Sequence, residues 1–257
     1  PLAAGVQGYR YNHPFLRIYI LGFILADAHV DDKSIEISVA LGDREILDYI
    51  QSVIGGNIRV DKTLNRKTRR FPRARMHVAN ADIVRDVRTK IGGLKSDRRF
   101  PIIPHDLERY LILGFFDGDG CITWGRRKDR NRIWHKITFN SSYKLLEGVQ
   151  KILLKQGIST AIRPKSDEKC FVMEFANKPD VLKFLDYIYD DEFIVLKRKY
   201  KKAIALRLEL GEFSETYVRE GYGNTKPSLQ SGKVQRLLET GDSLNDQIKR
   251  PSLCLQV

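Results

Sequence analysis

YILGFILADAHV at residues 19–30 and YLILGFFDGDGCI at residues 110–122 are near-copies of one another. Each is an apolar run broken by a glycine, and each leads into an aspartate set among small residues, Asp27 in the first and Asp119 in the second. Read as helices, the copies place Gly22 and Ala26 four residues apart on one face, and Gly114 and Gly118 likewise. Small residues at that spacing let two helix backbones approach closely. The two copies are therefore expected to pack on one another through Gly22, Ala26, Gly114 and Gly118.

The aspartates then fall at the C-terminal ends of the two helices. There the last carbonyls lack helical partners and the helix dipole is negative. A carboxylate beside carbonyl oxygens is a hard-cation site, suited to magnesium. Close packing brings two such sites together, and paired carboxylates with divalent metals suit in-line hydrolysis of a phosphodiester.

The repeat extends beyond these segments. In the first half a strand, KSIEISVAL, follows, then an amphipathic helix, DREILDYIQSVIGG, a strand pair (57–63 and 72–79) and the helix ADIVRDVRTKIGG. The second half repeats the order through CITWGRR, HKITFNSS, YKLLEGVQKILLKQG, strands near 159–165 and 170–176, and PDVLKFLDYIYDD. VAN at 78–80 answers FAN at 175–177, and GGLKSDRR at 92–99 answers IVLKRKYKK at 194–202. Period-two alternation marks the strands and three-to-four spacing the helices. The expected class is α+β, with two pseudo-symmetric αββαββα halves over 14–100 and 101–210, joined at the glycine-bearing helices. Residues 211–257 read as a tail or appendage: from Gly221 on the chain is polar and punctuated by Gly, Ser and Pro, with one short helix near 234–239.

Composition narrows the partner. The chain has 257 residues, 42% of them hydrophobic, with 45 basic against 32 acidic side chains and a net charge of +13. Such a surplus favours a polyanion, most often nucleic acid. The charge is clustered. Arg59, Lys62, Arg66, Lys67, Arg69, Arg70, Arg73 and Arg75 form one group, with Asp61 the lone acid. Arg126, Arg127, Lys128, Arg130, Arg132 and Lys136 form a second, and Arg163, Lys165 and Lys169 a third. All fall on expected strands or the loops between them. The GRRKDRNR loop is longer than the HVDDKS turn of the first half, so the second half is expected to reach further along a nucleic acid. Cys121, Cys170 and Cys254 match no zinc or redox spacing and read as reduced, intracellular thiols. The histidines form no ligand pair. Apolar runs of about nine residues are too short for a membrane helix, and no secretory signal is recognised.

The paired segments resemble the signature of the LAGLIDADG homing endonucleases, in the single-chain form with two motifs, over roughly residues 14–210. The resemblance implies a monomeric, site-specific double-strand DNA endonuclease. Two or three magnesium ions, or another divalent cation, would be held by Asp27 and Asp119 with the backbone carbonyls of Ala26 and Gly118. It implies saddle-shaped antiparallel sheets carrying the basic residues along about two turns of duplex, ~20 base pairs at ~10 per turn, and cuts that leave 3′ overhangs. It also places a lysine after the third helix of each half, which matches Lys95 and Lys197. The second motif keeps acids at Asp117 and Asp119 and the final Gly120. The first has Leu25 and Ala28 where the pattern has acid and glycine. Asp117 is expected to be a local cap or an exposed position. Such proteins are encoded in introns or inteins, and with no Cys or Ser start and no His-Asn end an intron is the expected setting. The rival readings are an RNA-binding maturase acting on its own intron RNA and a non-catalytic DNA-binding regulator. The expected location is intracellular, with bacterial cytoplasm, infected cell and organelle left open.

Overall fold

The computed structural model describes residues 14–62, 71–94, 97–127, 132–165, 170–189 and 195–211. In chain order the elements are α1 (Pro14–Asp27), β1 (His29–Val30), β2 (Ile35–Ala40), α2 (Arg44–Ile54), β3 (Asn57–Asp61), β4 (Arg73–Val78), α3 (Ala81–Ile91), α4 (Glu108–Asp119), β5 (Gly120–Arg127), β6 (Arg132–Ser141), α5 (Tyr143–Lys155), β7 (Ala161–Pro164), β8 (Phe171–Phe175), α6 (Lys178–Tyr189) and α7 (Lys197–Glu209). The order αββαββα thus occurs twice. The class is α+β, with two antiparallel four-stranded sheets ordered β1-β2-β4-β3 and β5-β6-β8-β7. The short helix expected near 234–239 and the rest of 212–257 lie outside the described residues.

The contacts group the chain into two compact units. The first holds the described residues up to Asp119, with 141–149 and 195–196. At its centre α1 is buried on every side from Tyr19 to Ala26, as an all-round apolar helix must be. It packs chiefly on α4. In the sheet of this unit burial alternates with the pleat: Ile35, Ile37 and Val39 of β2 and Ala74, Met76 and Val78 of β4 face the core. Ile46, Leu47 and Ile50 form the buried stripe of α2 beside these strands. Asn80, of the VAN landmark, is the N-cap of α3. Its side-chain oxygen accepts from the backbone N–H of Asp82 and Ile83 at 3.0 and 3.1 Å. The acidic DD turn has a local purpose: Asp31 accepts from the backbone N–H of Lys33 and Ser34 at 2.8 and 2.7 Å. These bonds hold its carboxyl below the usual range, and Asp32 pairs with Arg88.

The second unit is built on β5–β8, with Ile122 opposite Ile137 in its core. Phe184 of α6 meets the rings of Phe139 and Phe175 edge-on, at 5.7 and 5.3 Å between centroids. Its first hairpin, with strands of 8 and 10 residues, is longer than the 2- and 6-residue pair of the first unit. The helix α7 was not expected. Its basic run, KRKYKK, hides an apolar stripe of Tyr200, Ala203, Ile204 and Leu206, and Tyr200 packs edge-on against Tyr189 of α6 at 5.2 Å. Arg207, 1% exposed, pairs with Asp186. Basic residues at helical spacing read as a solvated segment until the faces are seen.

Candidate active site and nucleic-acid interface

The small residues of α1 and α4 meet backbone. A Cβ placed on Gly22 would overlap the carbonyl oxygen of Leu111 and stand 3.0 Å from the backbone nitrogen of Phe115. One placed on Gly114 would overlap the carbonyl oxygen of Tyr19 and stand 2.9 Å from the nitrogen of Phe23. Near the helix ends, a Cβ on Gly118 would come within 2.5 Å of Ala26 Cβ and 3.4 Å of Asp27 Cβ. Glycine is required at these crossings because a methyl group has no room to enter.

Asp27 and Asp119 are the last residues of α1 and α4 and are half-buried. The Gly118 contact sets Asp27 beside the residue that precedes Asp119. Among the described residues no group of three or more His, Cys, Asp or Glu could hold a metal ion. Asp27 and Asp119 could offer a cation two carboxylates, with the remainder left to backbone oxygen, water and phosphate. An all-oxygen set of this kind fits a hard divalent cation and excludes a closed zinc site.

Two further residues join this region. Arg98, 4% exposed, donates from Nη1 to the carbonyl oxygen of Leu25 at 2.8 Å and from Nη2 to that of Ala28. Burial lowers the Arg98 pKa, and the charges of Asp119 and Asp27 act against that lowering. An arginine retains its proton under such conditions, so a fixed positive charge faces both acids. The neighbouring Arg99 is exposed and bonds Thr89. Sequence reasoning missed Arg98 because nothing in SDRR shows which arginine turns inward.

Asp117 is buried, at 2% exposure, which corrects the expectation of a cap or an exposed site. Its Oδ2 accepts from Tyr19 Oη at 2.9 Å and from the backbone N–H of Leu196 at 2.8 Å. It thereby ties α4 to α1 and to the residue before α7. Asp117→Leu removes the acceptor for two buried donors and is expected to lower unfolding free energy by about 3 kcal/mol, whereas Asp117→Asn keeps an acceptor oxygen and should lose about 1 kcal/mol. Chemical denaturation of both variants checks this.

Of the two lysines, Lys197 is exposed at the start of α7. Lys95 lies outside the described residues, as do Arg66, Lys67, Arg69, Arg70, Lys128, Arg130 and Lys169. Arg127 and Arg132 end β5 and begin β6, opposite one another in register.

The outward face of the first sheet is a three-by-three grid. Glu36, His77 and Asn57 make one cross-strand row, Ser38, Arg75 and Arg59 the next, and Ala40, Arg73 and Asp61 the third. The first row and the two arginines line a shallow cleft. Arg59 stands directly opposite Arg75, and like charges so placed destabilise a sheet. Glu36, 3.9 Å from Arg75, offsets this only in part. An anionic partner would relieve it. Lys62 is exposed just past β3. Glu36, His77 and Asn57 were not singled out in the sequence, although the period-two pattern of REILD's preceding strand and of RARMHV would have put the first two on this face.

In the second unit the basic residues are partly engaged by acids. Glu174 holds Lys136 at 3.0 Å and Arg163 at 3.6 Å, and Glu209 holds Arg126 at 2.7 Å. Lys165 is exposed after β7.

Comparison with known proteins agrees with this architecture. A family model described as a LAGLIDADG-like domain matches residues 106–189. The meganuclease I-AabMI, solved bound to uncleaved DNA, has a TM-score of 0.54 at 11% identity, over 86% of this chain and 97% of that one. I-DmoI, solved in complex with DNA and Ca, gives 0.51 at 14% identity over 76% and 97%. The homing endonuclease I-GzeII, in complex with its DNA target, gives 0.50 at 12% identity over 82% and 99%. A stretch of 138 residues, 52% of the chain, is 33% identical to part of the ATP-dependent DNA helicase Hel308 of Methanocaldococcus jannaschii. The chain spans only 11% of that helicase, too little to bring helicase activity with it. The chain therefore carries a LAGLIDADG-like domain over residues 106–189 and has the fold of the LAGLIDADG homing endonucleases.

Proposed function

We propose that this protein is a site-specific, divalent-metal-dependent DNA endonuclease that acts as a monomer. The observation that carries the reading is the placement of Asp27 and Asp119 at the ends of two helices whose glycine faces interlock. These carboxylates, with the carbonyls of Ala26 and Gly118, would hold the metal. Magnesium, or another divalent cation, supplies Lewis-acid stabilisation of charge developing on the phosphodiester oxygens. Asp27 and Asp119 bind and orient it, and Lys95 and Lys197 offset phosphate charge and order water near the scissile bond. The product is a double-strand break with 3′ overhangs in an asymmetric site of ~20 base pairs, about two helical turns.

Binding is assigned to the exposed faces of both sheets. In the first, successive rows of the grid lie about 6.8 Å apart at ~3.4 Å per residue, which matches two base steps of ~3.4 Å. Arg59 and Arg75 suit guanine, Asn57 suits adenine and Glu36 suits the amino group of cytosine. The longer second hairpin extends the reading outward on its side. Residues 14–100 and 101–210 are the two halves of a duplicated unit, 211–257 an appendage, and an intron the setting in which such an enzyme is encoded. The reading places the protein inside the cell.

Cleavage of a library of randomised duplexes with magnesium, read by sequencing of the ends, tests the reading. One recurrent cut site with 3′ overhangs supports it. Selective binding without cutting would replace it by the regulator reading. A companion prediction concerns affinity. Arg59→Ala with Arg75→Ala should weaken binding to the selected duplex by about 2 kcal/mol or more. The dependence of log affinity on log salt should flatten by about 0.9 for each of the two contacts that reaches a phosphate. Fluorescence anisotropy across a salt series measures both.

A further inference from the structure

The two motifs differ at two aligned positions, Leu25 against Asp117 and Ala28 against Gly120. In the second motif the acid is used: Asp117 accepts the backbone N–H of Leu196, from the segment that follows α6. In the first motif the acid is absent, and the segment that follows α3 sends in a cation instead. Arg98 bonds the backbone oxygens of Leu25 and Ala28, the two residues at which the motif departs. Each central helix is thus tied to its later segment by one buried charge, of opposite sign in the two halves.

We propose that Arg98 is a positioning residue of the candidate centre: it clamps the carbonyl end of α1, and so the backbone on both sides of Asp27, while facing Asp27 and Asp119 with a permanent positive charge. The inference rests on the nuclease reading above. The last carbonyls of a helix need outside donors, and a cation is favourable at that end. The guanidinium meets both needs because its planar fork reaches two oxygens at once. Its charge also offsets the mutual repulsion of the two carboxylates.

These two roles act in opposite directions on a bound metal. As a clamp, Arg98 keeps Asp27 aimed and favours cutting. As a cation, it competes with a divalent ion for the same negative field. Removing it should therefore tighten metal binding and slow cleavage together. A residue that only filled space would not produce that pair of changes, since loosening the helix end would weaken both.

The test uses the full chain with the duplex selected from the library. Calcium is titrated by calorimetry, cleavage is timed with magnesium, and duplex affinity is measured by anisotropy. Arg98→Met should bind calcium about threefold more tightly or better, because an opposing charge is gone. It should cut about tenfold more slowly or worse, because Asp27 is no longer held in a productive geometry. Duplex affinity should stay within about threefold. Arg98→Lys keeps the charge and should hold calcium affinity near the parent value, while cutting at an intermediate rate because the fork is lost. Calcium affinity that is unchanged or weaker in Arg98→Met overturns the inference alone. A parent protein that neither cuts a selected duplex nor binds calcium overturns the nuclease reading, and this inference with it.

Discussion

Asp27→Asn and Asp119→Asn are each expected to abolish magnesium-dependent cutting, with rates falling by about a thousandfold or more, while affinity for the target duplex stays within a few-fold. The carboxylates are half-buried at the C-terminal ends of α1 and α4, where each would supply one of the two anionic ligands of a bound cation. Asparagine preserves shape and a carbonyl oxygen but removes the charge that holds a hard cation. Affinity is spared because the basic side chains on the sheets are untouched. Cleavage time courses and anisotropy on the same preparations check both halves of the expectation. Retained cutting in either variant would remove that aspartate from the site. Loss of binding along with cutting would show that the substitution had disturbed the helix pair rather than the chemistry.

The second large effect is structural. Gly114→Ala is expected to lower unfolding free energy by about 3 kcal/mol or more, since overpacking of a rigid contact falls at the high end of such substitutions. The added methyl would meet the carbonyl oxygen of Tyr19 and lie 2.9 Å from the nitrogen of Phe23, and neither is a side chain that can swing aside. The helices would have to separate, and that displacement would carry Asp119 away from Asp27. Gly22→Ala should behave alike, for the reciprocal reason. Gly42→Ala is the control: nothing lies within 4 Å of its added Cβ, so its effect should stay within about 0.5 kcal/mol. Chemical denaturation of the three variants measures the difference. Equal stability of Gly114→Ala and Gly42→Ala would refute the close crossing.

Much of this was legible because it is written as a repeat. The glycines of the paired segments, the acid at the same phase after each, and the VAN and FAN helix starts all recur at matching places. A pattern that occurs twice is far harder to produce by chance than either copy alone. Strand alternation marked the strands, and carried further it would have separated core from outward positions in β2 and β4, because side chains in a strand must alternate. What was not legible depends on which of several similar residues turns inward. Arg98 and Arg99 are adjacent, yet one is buried against the end of α1 and the other exposed. Asp117 and Asp119 are two residues apart in one helix end, yet one is buried under Tyr19 and Leu196 and the other is half-buried. In the sequence the run KRKYKK reads only as the counterpart of GGLKSDRR in the first half, and it is the first turn and a half of α7, with Lys199 buried.

The amino-acid sequence by itself determined the duplicated α+β plan, the small-residue faces of the central helices and the two acids at their ends. These follow from local periodicity and from residue size, which need no knowledge of neighbours. Only the tertiary structure decided what those acids stand beside. It brought Arg98 to the carbonyls of α1, turned Asp117 into a buried tie and set Arg59 against Arg75 across one sheet. Each of these joins residues distant in the chain, and their energies come from desolvation and charge, which are set by surroundings that only the packed fold creates.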